Sequence, residues 1–166
     1  IRELQDIFTR LGSDQHCRVI VLQANGKSFC AGADLHWMKS MASFTKEENL
    51  ADSRKMAAML NTIYSCPKPV IAKVQGDAYA GGVGLASVCD IVIASNQARF
   101  CISEAKLGLL PATIAPYVIR ALGEQASRRY FVTAEVFTAS HAKEIGFVHE
   151  LVDPDALDSK VDEICH

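Results

Sequence analysis

Two turns rich in glycine and alanine stand out as places where chemistry could occur. Cys30-Ala31-Gly32-Ala33-Asp34 and Ala80-Gly81-Gly82-Val83-Gly84 each follow a strand-like run and open a helix-like one. Small side chains let a ligand approach the main chain closely. Amides at a helix start have no partner inside the helix. Two such amides converging on one point would hold an oxygen that gains negative charge. The same glycines would also serve tight packing of backbone against backbone, and composition alone leaves both open. A carboxylate, Glu104, follows the apolar run Ala98 to Ile102. A partly desolvated site there would raise its pKa and fit it to carry a proton. An ion pair with Lys106 or Arg99 at the surface is the plainer alternative.

Other reactive constellations are absent. The chain has no GxSxG elbow, no GxxxxGK[ST] loop, no HExxH helix and no calcium-binding loop. Gly76 and Gly81-Gly82 follow a strand, but their spacing is not that of a dinucleotide-binding GxGxxG. His36, His141 and His149 are scattered, which suits surface or packing roles. Six cysteines (Cys17, Cys30, Cys66, Cys89, Cys101 and Cys165) form no CxxC pair. None has a histidine at ligand distance on one turn, so no metal site is expected. Structural, reduced thiols are the simpler expectation, and with them a cytoplasmic location or an organelle matrix. With 17 basic and 19 acidic residues and a net charge of −2, the chain offers no field suited to nucleic acid. No secretory signal opens it, and no apolar run approaches the ~20 residues that cross a bilayer.

The 166 residues, 49% of them apolar, fit a single domain over 1–166. Ile1 to Phe8 has helical spacing without a preceding cap, as expected of a helix whose start lies upstream and of a fragment. Arg18 to Leu22 reads as a strand covered on both faces. Glu47 to Tyr64 reads as a long amphipathic helix stopped by Pro67 and Pro69. Strands are expected at Pro69–Val74, Cys89–Ala94, Phe147–Val152 and, more briefly, Ala98–Ile102. Helices are expected near 114–122, 124–131 and 140–145, with a last one opened by Pro154. Strand and helix alternate, which predicts an α/β fold with parallel strands.

Several segments, in order across nearly the whole chain, resemble the crotonase (enoyl-CoA hydratase/isomerase) superfamily. They are Phe29-Cys30-Ala31-Gly32-Ala33-Asp34-Leu35, Val74-Gln75-Gly76, Ala78 to Asp90, Ser103 to Pro111, and Thr138 to Gly146. His36-Trp37-Met38-Lys39-Ser40-Met41 and Pro111-Ala112-Thr113-Ile114-Ala115-Pro116 are similar to the bacterial methylglutaconyl-CoA and carboxygeranoyl-CoA hydratases of leucine and acyclic-terpene breakdown.

The resemblance implies a crotonase-like ββα spiral core, lacking leading strands and trailing trimerisation helices that longer family members carry. It implies an acyl-CoA thioester substrate, homotrimers or hexamers, and no cofactor, coenzyme A being part of the substrate. Its oxyanion positions map to Ala33 and Gly81, and its catalytic carboxylate to Glu104. Ala31, Ala33, Asp34 and Leu35 map to the main chain around the adenine end of coenzyme A. Lys27 is the nearby phosphate partner, and Gly81 and Gly82 lie against the substrate. Trp37, Met38, Leu107 and Ile114 are expected along the acyl pocket or, equally, in the core.

Gly84 departs from the pattern, because hydratases with two glutamates carry the first at that place. Glycine neither holds a water by charge nor accepts its proton. A hydratase with Glu104 alone is expected, with a double-bond isomerase or a non-catalytic acyl-CoA-binding homologue as alternatives. Lys39, Arg54 and Lys55 are the candidates for a distal carboxylate on a branched substrate.

Overall fold

A computed structural model describes residues 1–166, the side chain of Leu35 apart. Four parallel strands make the main sheet, in the order β1 (Ile20–Leu22), β2 (Val70–Val74), β4 (Ile91–Ser95), β7 (Glu150–Val152). Alternation along β2 and β4 divides the side chains between two faces. Val70, Ala72, Val74, Val92 and Ala94 enter the principal core, while Ile71 and Ile93 pack with Leu157 and Val161 of α8 (Leu157–Cys165). Lys73, the polar residue on the α8 side of β2, pairs there with Asp158.

The principal core is closed by α1 (Arg2–Ser13), α3 (Lys46–Tyr64) and α4 (Gly81–Ser87), through Phe8, Met59, Leu60, Ile63, Val83 and Ala86. A capping box starts α3: the Thr45 hydroxyl accepts from the Glu48 amide, and the Glu48 carboxylate accepts from the Thr45 amide.

A second sheet of three strands was not expected as a separate layer. It orders β3 (Ala78–Tyr79), β5 (Arg99–Cys101) and β6 (Phe137–Thr138), with β5 parallel to β3 and antiparallel to β6. Two-residue strands leave no periodicity to read, so β3 and β6 escape detection in the sequence. Phe100 of β5 stacks on Phe137 at 5.6 Å and meets Phe147 edge-on at 5.2 Å, and Tyr130 stacks on Phe137 at 4.2 Å. This aromatic cluster anchors the strand that leads into Glu104.

The expected strand at Arg18–Leu22 needs correction. It forms at Ile20–Leu22 as an edge strand, with only Ile20 buried, because just β2 flanks it. Between β1 and β2 lie α2 (Leu35–Met41) and α3, and the chain continues through α5 (Ala115–Leu122), α6 (Glu124–Thr133) and α7 (Ala139–Glu144). The fold is α/β, with a parallel sheet and many helices, as the alternating pattern predicts.

Candidate active site

The two small-residue turns lie side by side. The Cys30 amide donates to the Asp77 carbonyl at 3.1 Å, and the Tyr79 amide donates to the Cys30 carbonyl at 2.8 Å. Beyond this parallel bridge both chains bend together: a Cβ on Gly32 would sit 3.9 Å from the Cβ of Ala80. Ala33 and Gly81, the next residue in each turn, therefore occupy adjacent loops. A Cβ on Gly82 would lie 2.8 Å from both the Cβ and the carbonyl oxygen of Cys30, so only glycine lets α4 come this close.

The direction of the Gly81 amide follows from hydrogen bonding around Ala80. The Ala80 carbonyl accepts from the Val83 and Gly84 amides at 3.0 and 3.3 Å, so it points into α4. In a planar trans peptide the N–H opposes the C=O. The Gly81 N–H is thus aimed out of the helix. Ala80 itself holds φ 49°, ψ −116°, a region that L residues rarely adopt. Across from it, the Asp34 carboxylate caps α2, accepting from the His36 and Trp37 amides at 2.7 and 3.0 Å. Neither the Ala33 nor the Gly81 amide has a protein acceptor among the described residues.

Glu104 opens a 3-10 turn (Glu104–Leu107) three residues beyond the end of β5. Its Oε2 is buried without any hydrogen-bond partner. Burial pushes the carboxyl pKa up, and a backbone hydrogen bond of the same residue opposes part of that rise. The two cations that would have made it a surface ion pair are engaged elsewhere. Arg99 grips Asp77 at 3.0 and 2.7 Å, and the Lys106 ammonium lies 3.8 Å from the Cys101 sulfur. A carboxylate so poorly compensated exchanges its proton nearer neutrality than an ordinary glutamate does.

Gly84, where a second carboxylate would stand, is occupied from outside. A Cβ there would fall 2.3 Å from Cγ2 and 2.8 Å from Cβ of Ile114, which is 2% exposed. One turn earlier on the same helix, a Cβ on Gly81 would meet only the flexible Met56 Cε, at 3.4 Å. Lys27, Ala31, Ala33 and Asp34 are exposed, and Trp37 and Met38 are half-buried. The Leu35 side chain lies outside the described residues. Leu107 is 61% exposed, whereas Ile114 is buried as a packing residue, the core alternative for that position. None of the predicted site residues lines the cavity of about 320 Å³ at the far end of α4, which is bounded by Ser87, Asp90, Arg120 and His149 among others. His149 has a structural part, its Nδ1 accepting the Val92 amide at 2.9 Å. Among the described residues no group of three potential metal ligands occurs.

Three contributors were not singled out from the sequence. Ala80 and Met56 carry no signal, since neither a strained φ nor a contact across the fold is written in residue type. Gln75 lies within a quoted motif, but its amide bonds to the loop before Cys30 are tertiary.

The family model for enoyl-CoA hydratase/isomerase matches residues 1–166. A crystal structure of a provisionally assigned enoyl-CoA hydratase/isomerase (crotonase) from Legionella pneumophila is 51% identical, with a TM-score of 0.95, over 98% of this chain and 62% of that one. Crotonyl-CoA hydratase of Syntrophomonas wolfei is 32% identical over 98% of this chain and 61% of its own length. A Mycobacterium tuberculosis (7aS)-7a-methyl-1,5-dioxo-2,3,5,6,7,7a-hexahydro-1H-indene-carboxyl-CoA hydrolase is 36% identical over 94% of this chain and 62% of its own length. The chain spans between half and two-thirds of the length of the curated relatives it matches.

Proposed function

We propose a reaction for this chain, which belongs to the enoyl-CoA hydratase/isomerase family: it adds water to a 2-enoyl-CoA thioester. The Ala33 and Gly81 amides hold the thioester oxygen, and Glu104 is the sole acid/base. The observation that carries this reading is the buried, unpartnered Oε2 of Glu104, tied through β5 to a pair of loops with two free amides. Ionised Glu104 takes a proton from water as the water oxygen bonds to C3. The C2–C3 π electrons move to C2 and onto the thioester oxygen as an enolate, which the two amides stabilise. The protonated Glu104 then gives its proton to C2, and the enolate returns to a thioester. Losing one such oxyanion donor costs about 3–4 kcal/mol in other enzymes.

The exposed Lys27, Ala31 and Asp34, together with Leu35, the half-buried Trp37 and the buried Gly82 of the neighbouring turn, are the residues we assign to the coenzyme portion. Within this scheme 3-methylglutaconyl-CoA is the substrate we favour, from the likeness of residues 36–41 and 111–116 to hydratases of that kind. Lys39, Arg54 and Lys55, all exposed on α2 and α3, are the cations that would meet its distal carboxylate.

Crotonyl-CoA tests the assignment directly. Glu104→Gln removes the proton carrier and keeps the shape, so turnover falls by roughly 10²–10⁴-fold while thioester binding persists. Equal turnover in the variant would rule Glu104 out. If the parent protein binds the thioester without turning it over, the chain is a binding homologue.

A second reading has its own observation. With Ile114 against Gly84 the site holds one carboxylate, and moving one proton between two carbons needs no more than one. Double-bond migration on 3-enoyl-CoA thioesters, with no hydroxyacyl product from 2-enoyl-CoA, would replace hydration by isomerisation.

A further inference from the structure

The segment between Glu104 and α5 is fixed at its two ends and loose between them. Upstream, Ile102 is fully buried next to the aromatic cluster. The turn itself is closed only locally: the Lys106 amide donates to the Ser103 carbonyl, Gly108 to Ala105 and Leu109 to Glu104, each at 3.1 Å. Residues 105–110 are exposed, with Leu110 at 85%. The chain is gripped again at Pro111, whose carbonyl accepts from the Ile114 and Ala115 amides at 3.2 and 2.9 Å, and at the buried Ile114.

Ile114 is gripped by α4. Its β-branch methyl, Cγ2, fills the notch that the missing side chain of Gly84 leaves, closer than any Cβ there would permit. Residues three apart share one face of a helix, so this notch lies on the same face of α4 as Gly81. The far anchor of the Glu104 segment and the Gly81 amide are thus referenced to one rigid helical turn.

We infer that Ile114 is a positioning residue: its Cγ2 methyl, seated on Gly84, holds the Glu104 segment in register with the Gly81 amide. The inference rests on Glu104 being the acid/base and Gly81 an oxygen donor. It goes beyond them by giving a methyl–glycine contact a share in the geometry between the two, beside the Ala80–Cys101 backbone bond. A branched carbon at position 114, and not merely an apolar one, is what the notch requires.

Two conservative changes separate this from core stability. Ile114→Val keeps Cγ2 and loses only Cδ1, whereas Ile114→Leu keeps volume and apolarity but moves the branch away from the notch. With crotonyl-CoA, Ile114→Val should keep kcat within about 2-fold, and Ile114→Leu should lower kcat about 10-fold with KM little changed. The acidic limb of the pH profile should also move in Ile114→Leu, because a shifted carboxylate meets more water. Filling the notch by Gly84→Ala, which displaces the same methyl, should lower kcat in the same way. Equal kcat in the Leu and Val variants, or an unchanged kcat in Gly84→Ala, overturns the positioning role. Glu104→Gln is run alongside. If it abolishes turnover while the Leu variant stays fully active, only the role of Ile114 fails. If it leaves turnover intact, the reading of Glu104 fails first.

Discussion

The Ala80 amide donates to the Cys101 carbonyl at 2.8 Å, tying the turn that carries Gly81 to the strand that runs into Glu104. That bond, with the two helix amides on the Ala80 carbonyl, holds Ala80 at φ 49° despite its Cβ. Strain of this kind persists where the surroundings over-determine the backbone. Ala80→Val should lower unfolding free energy by about 1–3 kcal/mol, because a β-branch at positive φ clashes with its own main chain. Ala80→Gly should leave stability near the parent value, relief of strain offsetting the entropy of glycine. Denaturant titration of the two variants checks the difference, and equal losses in both would mean the backbone conformation is not what matters.

Asp34 sets the other turn. Its carboxylate accepts the two amides that open α2, leaving the Ala33 amide just outside the cap. Asp34→Ala should cost on the order of 1 kcal/mol, and it should raise KM for an enoyl-CoA, since Ala33 and the exposed stretch beside it lose their reference. Asp34→Asn, which keeps a capping oxygen, should recover most of both effects. A variant pair that differs in stability but shares one KM would separate the cap from the ligand face.

The elements around the candidate site were legible in the sequence in part, and the boundary of legibility has physical causes. The two small-residue turns stand out as local facts, whereas the choice of Ala33, Gly81 and Glu104 as the acting residues comes from the family resemblance. The long helices were legible from spacing, α3 within a residue of its bounds. The second sheet was not, since β3 and β6 are two residues each and exist only through pairing with β5. Nor could Gly84 be understood alone. The sequence shows a missing side chain, and only the fold shows Ile114 filling its place.

Gln75 serves the approach to the site. Its amide nitrogen donates to the carbonyls of Ala24, Gly26 and Ser28 at 3.1, 3.2 and 3.1 Å, two hydrogens shared among three acceptors. The loop so gathered presents Lys27 and leads directly into Phe29 and Cys30. Gln75→Leu removes the donor and strands partly buried carbonyls, which should cost about 1–3 kcal/mol. Lys27 would then lose its fixed place, so KM for the thioester should rise more than kcat falls. Kinetics on crotonyl-CoA give both numbers, and a fall in kcat at constant KM would place Gln75 with the chemistry instead.

Glu104 links activity and stability through one proton. Burial raises its pKa in the folded chain above the ordinary value near 4.3 of an exposed glutamate. The folded state therefore holds the proton more tightly than the unfolded state does. By linkage, the stabilisation from this group is complete below the unfolded pKa and is lost as pH rises through the folded one. At neutral pH the ionised, partly buried carboxylate is a cost to the fold. Glu104→Gln never ionises, so its Tm should exceed that of the parent near pH 8, and the gap should close as pH falls toward about 4. Activity should move the opposite way: on the proposed reaction Glu104 must be ionised to take a proton from water, so kcat/KM should fall on acidification at a pH above the usual carboxylate range. A Tm difference that stays constant with pH, together with an acidic limb near 4.3, would mean that Glu104 titrates as an exposed side chain. The buried oxygen would then have no bearing on the reaction.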